Sequence, residues 1–134
     1  MDSKCICTYT FYGILILFLC PFSARAAGTN EGLDTGFGDE GIAMFDLAAN
    51  EDWINAIVLD PVSRTVAVGR AYNTQNSDVL IARFNTDGSL DTTFGVNGSV
   101  TWDSGFGDDE AHDVAIDSGG KIVVAGKADP PENY

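Results

Sequence analysis

Few residues in this chain carry reactive chemistry. Of 134 residues one is histidine, three are cysteine and seven are Lys or Arg. Cys5, Cys7 and Cys20 are the three cysteines, so nothing beyond residue 20 can build a disulfide framework or offer a thiol nucleophile. The seven basic side chains face 20 acidic ones, for a net charge of −13. That balance excludes a nucleic-acid binder, which needs clustered Lys and Arg to meet phosphates. Four prolines exclude a Pro-rich linker, and 45% hydrophobic residues exclude a disordered tail. No stretch keeps helical periodicity over the roughly 11 residues needed to assign a helix. What remains is one domain of acidic, β-prone chain with 15 glycines.

The N-terminus reads as an export signal. Lys4 precedes the apolar run Phe11 to Cys20 (FYGILILFLC), and Ala24-Arg25-Ala26 fits the A-x-A cleavage pattern. The run is shorter than the about 20 residues of a spanning helix, and bulky Leu19 argues against a lipid anchor on Cys20. Expected organisation is a signal peptide at 1–26, a short segment at 27–31, one repeat at 32–88 and a second, incomplete one at 89–134. Cleavage after Ala26 removes Asp2, Lys4 and Arg25, so 7 basic and 20 acidic residues become 5 and 19 and the net charge becomes −14. The mature chain is expected to be secreted, periplasmic or on the cell surface, with no stable membrane span.

Self-comparison reveals the repeat. Shifted by 57 residues, LDTGFGDEGIAMFD (33–46) falls on LDTTFGVNGSVTWD (90–103), INAIVLD (54–60) on AHDVAID (111–117) and TVAVGRA (65–71) on IVVAGKA (122–128). Without a gap, 12 of 39 aligned positions are identical. Each unit reads as short strands punctuated by Gly, Asn and Asp. Strand A is 42–46 or 99–103, strand B 54–60 or 111–117, and strand C 65–71 or 122–128. Strand D is 79–84 and has no counterpart. Four short antiparallel strands per unit of this length suggest a propeller blade. The expected fold is all-β, with propeller-like four-stranded blades.

The run IARFNTDGSLDTTFGVNGSVTWD (81–103), with KIVVAGKA (121–128), resembles the delta-60 repeat. Its motif positions are Arg83, Asp87, Gly88, Leu90, Asp91, Phe94, Gly95, Gly98, Val123 and Gly126. In the first copy they correspond to Leu33, Asp34, Phe37, Gly38, Gly41 and Gly69. The resemblance implies a secreted bacterial protein whose repeats form β-propellers in long arrays. A ring needs at least about four blades. The expectation is therefore a truncated member of a longer array, or copies that associate through open strand edges.

Candidate sites are thin. Gly36-Phe37-Gly38-Asp39-Glu40-Gly41 satisfies G-x-G-x-x-G, but it leads into a strand, whereas a dinucleotide site needs a helix. It reads as a turn. Asp103, Asp108, Asp109 and Asp113 crowd one stretch and are weak candidates for Ca²⁺ ligands, without the D-x-[DN]-x-[DN]-G spacing. His112 corresponds to Asn55 in the other copy, so the scaffold does not require imidazole there. Phe37 and Phe94 recur in register and suggest packing between blades. Trp53 and Trp102 do not align and are expected at core or edge positions.

No catalytic residue and no cofactor is expected. The functional expectation is a non-enzymatic secreted module that presents a surface to an extracellular or cell-envelope partner. Its varied loops are Leu47 to Trp53, Asn73 to Ser77 and Ser104 to Glu110. The alternatives are a calcium-dependent adhesion module or the N-terminal part of a propeller hydrolase.

Overall fold

The computed structural model describes residues 4–11, 14–21, 33–47 and 51–129, and for the first two stretches the backbone alone. The cleavage site at Ala24 to Ala26 and the segment 27–31 lie outside the described residues. Among the described residues nine strands follow one another: β1 (Lys4–Phe11), β2 (Ile14–Pro21), β3 (Ile42–Phe45), β4 (Asp52–Leu59), β5 (Thr65–Tyr72), β6 (Ser77–Phe84), β7 (Ser99–Trp102), β8 (Glu110–Ile116) and β9 (Ile122–Lys127). They form three antiparallel sheets of order β1-β2-β3, β4-β5-β6-β7 and β8-β9. The fold is all-β and propeller-like. Among the described residues no helix is long and apolar enough to cross a membrane.

The four-stranded sheet is the middle layer. β5 (TVAVGRAY) is buried along most of its length, which explains its run of small and β-branched residues without polar alternation. Ala67 and Ala71 face one side with Ile54, Leu80 and Phe84, against Phe37 and Ala43. Val66 and Val68 face the other with Val79, against Ala111 and Val114 of β8. Phe37 is thus an inter-sheet residue, 2% exposed.

Sheet and repeat are out of phase. Strands A to D of one unit were expected to make one blade, but strand A joins the sheet before it. β7 pairs with β6 from Val79↔Trp102 to Ala82↔Ser99, and β3, its counterpart, pairs with β2 from Leu15↔Phe45 to Phe18↔Ile42. The reason lies in the connections. Between β6 and β7 the backbone is pinned to β6: Asp91 N–H donates to the Arg83 carbonyl and Arg83 N–H to the Gly98 carbonyl. A two-residue turn then starts each strand A. Asn97 and Gly98 have φ of 51° and 97°, and Glu40 and Gly41 have 50° and 94°, as a tight primed turn requires. The looser A-to-B loop crosses to the next sheet.

Each B–C hairpin carries a bulge at the same place. Register slips between Ile54 and Ala56 in one copy and between Ala111 and Asp113 in the other. Gly69 and Gly126 lie opposite, where a Cβ would overlap the carbonyls of Trp53 and Glu110. These motif glycines are needed for close approach of the backbones. Gly69→Ala should therefore destabilise the fold by about 2–3 kcal/mol. Gly119→Ala, where a Cβ would meet only the Asp117 side chain, nearest at Oδ1, 3.2 Å away, should cost less than about 1 kcal/mol. Urea unfolding checks both, and equal costs would contradict the assignment.

Candidate functional site

The three varied loops gather at one end of the sheets. Asn73 to Asn76 leads into β6, and Asn76 Nδ2 donates to the Gly107 carbonyl. The Ser77 amide donates to Asp108 Oδ1 at 2.8 Å, and the Asp109 amide to the Ser77 carbonyl at 2.7 Å. The Tyr72 amide reaches the Glu51 carbonyl at 3.3 Å, which brings the third loop to the same end. Residues 48–50 of that loop lie outside the described residues.

Buried aspartates cap these loops in equivalent fashion. Asp52 Oδ2 accepts from the Leu47 amide at 2.9 Å, and Asp109 Oδ2 accepts from the Ser104 amide at 2.6 Å. Asp109 Oδ1 also accepts from the Asp129 amide at 3.2 Å, whereas Asp52 Oδ1 is buried without a partner among the described residues. Burial accordingly pushes the Asp52 carboxyl above its usual range. The Leu47 hydrogen bond opposes the shift and neighbouring Asp46 adds to it.

The calcium candidates are occupied with backbone amides. Asp103 Oδ1 takes the Gly105 amide, Asp108 that of Ser77, Asp109 those of Ser104 and Asp129, and Asp113 Oδ1 that of Val114. Among the described residues no three His, Cys, Asp or Glu side chains group to hold a metal ion. His112 is exposed at the bulge. Its counterpart Asn55 reaches across to the next sheet, donating to Glu110 Oε1 at 2.7 Å and to the Ala111 carbonyl at 2.8 Å. Arg70 lies 5.3 Å over the Trp53 ring and pairs with Glu110 at 3.5 Å. This clamp went unforeseen, because its members are 17 and 40 residues apart and only the blade contact unites them. Trp53 and Trp102 are 39% and 52% exposed, so neither sits in the core.

The opposite end holds the repeat motif. Asp91 is buried, and its Oδ2 accepts from Arg83 Nε at 2.8 Å and Arg64 Nη1 at 3.3 Å. Its Oδ1 accepts from the Thr93 hydroxyl at 2.6 Å and amide at 3.1 Å. Arg83 stacks 4.5 Å over Phe94. Hydrogen bonds from Thr93, then Arg83, hold the Asp91 carboxyl below its usual 3.8. Leu90, Gly95 and Val96 line a groove of about 820 Å³ together with Phe45 and Leu47. It lies between the outer strands β3 and β7 and is open to solvent.

A carboxylate held below its ordinary pKa stabilises the fold above the unfolded value, and that contribution is lost as pH falls through the folded value. Asp91→Asn removes the charge that Arg83 and Arg64 share. Its melting temperature should be lower at pH 7, and it should lose less stability than the natural chain between about pH 5 and 3. Thermal melts across that range check this, and parallel profiles would refute it.

No curated protein and no solved structure matches the chain. Residues 64–94, which run from strand C through strand D to the Asp91 turn, match the family model described as a domain of unknown function (DUF5122) beta-propeller. That match supports a β-propeller repeat in the chain.

Proposed function

We propose that the chain is an exported, non-enzymatic repeat module of the delta-60 type whose loop end presents a binding surface to an extracellular or cell-envelope partner. One observation supports this most: the loops that differ between copies converge at one end, joined by the Ser77–Asp108 and Ser77–Asp109 hydrogen bonds. The strands and the motif end keep their pattern. Repeat folds commonly bind through loops on one face while the frame stays constant. Asp46, Glu51, Asp103 and Asp108 are exposed at this end, a charge pattern that favours a cationic partner. The reading needs neither a cofactor nor a catalytic pair.

N-terminal sequencing of exported material should begin at Ala27-Gly28-Thr29, and intact Met1 in a soluble cytosolic fraction would defeat the export reading. For activity, a titration series on folded full-length chain separates the alternatives. The module reading expects a melting temperature insensitive to calcium and no hydrolysis of a glycan panel. A calcium-dependent rise of several degrees would favour adhesion through bound ions. Hydrolysis abolished by replacing one Asp would establish an enzyme instead.

A further inference from the structure

Two crossings between sheets are built alike and finished differently. Leu47 follows β3, in one sheet, and Asp52 opens β4, in the next. The hydrogen bond from the Leu47 amide to Asp52 Oδ2 therefore ties neighbouring sheets, as that from the Ser104 amide to Asp109 Oδ2 does in the second copy. Both aspartates are buried, at 1% and 0% exposure. Asp109 Oδ1 takes a second amide, from Asp129. Asp52 Oδ1 has no partner among the described residues.

We propose that the crossing from β3 to β4 is a pH-sensitive joint that tightens in acid: it holds most firmly when Asp52 is neutral, and ionisation of Asp52 loosens it. A carboxylate taken out of water needs donors on both oxygens, and an unmade hydrogen bond costs more at a charged group than at a neutral one. The surroundings do not supply what is missing. Asp46, from the β3 side, and Glu51, next in the chain, are acidic. Across the sheet the row of Asp52 continues through Ala71 of β5 to Asp78 of β6, a third acid, which accepts from Asn73 Nδ2. Tyr72 meets this end through its amide, on the Glu51 carbonyl. Arg70, opposite Trp53 in the ladder, is engaged with the Trp53 ring and Glu110. In keeping with this geometry, burial holds the Asp52 carboxyl above its ordinary 3.8, against the Leu47 hydrogen bond and with help from Asp46. The closed joint thus binds a proton more tightly than the open one. Its stability grows as pH falls through the raised value and the gain is complete below 3.8, opposite in sign to the contribution of Asp91. The joint stands at the loop end but does not depend on what the loops bind.

Amide exchange followed by NMR on the folded full-length chain reads the joint directly. The measure is the protection of the Leu47 amide, corrected for the intrinsic pH dependence of exchange, relative to that of Ser104. Between about pH 7 and 4 this ratio should rise severalfold in acid. Asp52→Asn keeps an oxygen for the Leu47 amide and carries no charge, so its ratio should be high already at neutral pH and flat below it. Asp46→Asn, at an exposed position, should move the natural transition to lower pH. A natural ratio that stays flat or falls in acid would overturn the proposal, as would an Asp52→Asn chain that follows the natural profile. If Asp52→Asn does not fold, Asp46→Asn decides, and an unmoved transition counts against the joint.

Discussion

In the second copy, the ion pairs that Asp91 makes with Arg83 and Arg64 brace the turn that returns strand A to the sheet before it. Arg83 lies near the end of β6, Arg64 precedes β5, and Asp91 sits in the turn that follows β6. One buried carboxylate therefore ties the turn back onto the sheet it has just left. β7 returns beside β6 and satisfies amides and carbonyls that would otherwise form an open edge. An unmade buried hydrogen bond costs about 1–3 kcal/mol, so the return is strongly favoured. In the first copy, Ala26 stands at the position of Arg83. Asp34 Oδ1 accepts from the Gly36 amide, the local part of the same turn without its arginine.

The two ends of the sheets use their carboxylates differently. At the motif end Asp60, Asp87 and Asp91 all lie below their ordinary pKa, because amides, hydroxyls or guanidinium groups converge on the ionised form. At the loop end Asp52 and Asp109 are buried caps with unequal partners. Asp129 donates its amide to Asp109, while its counterpart Tyr72 donates to the Glu51 carbonyl. A single change of direction at the end of strand C leaves Asp52 Oδ1 without a partner among the described residues. The frame is repeated, but the chemistry of its loop end is not.

Much of the fold was legible in local signals. The 57-residue offset, the strand segments, the Asn97-Gly98 turn and the inter-sheet place of Phe37 all follow from spacing and residue type. Periodicity and turn preference act over a few neighbouring residues. The acidic cluster was legible only as composition. That its members bind amides depends on which loops meet, and Asp108 meets Ser77 from 31 residues away. Phe94 shows the same limit: it shares its motif position with Phe37 but is half exposed beneath Arg83, because no described strand covers it.

The sequence by itself determined that this protein is a β-repeat with an acidic surface, and where its turns fall. Only the tertiary structure decided that both strands A, β3 and β7, close the sheet before them. It also decided that the variable loops share one end, and that Gly69 and Gly126 stand opposite bulges. The physical reason is range. A strand's conformation is written in its own side chains, whereas its neighbour is chosen by hydrogen bonds and packing between residues far apart in the chain.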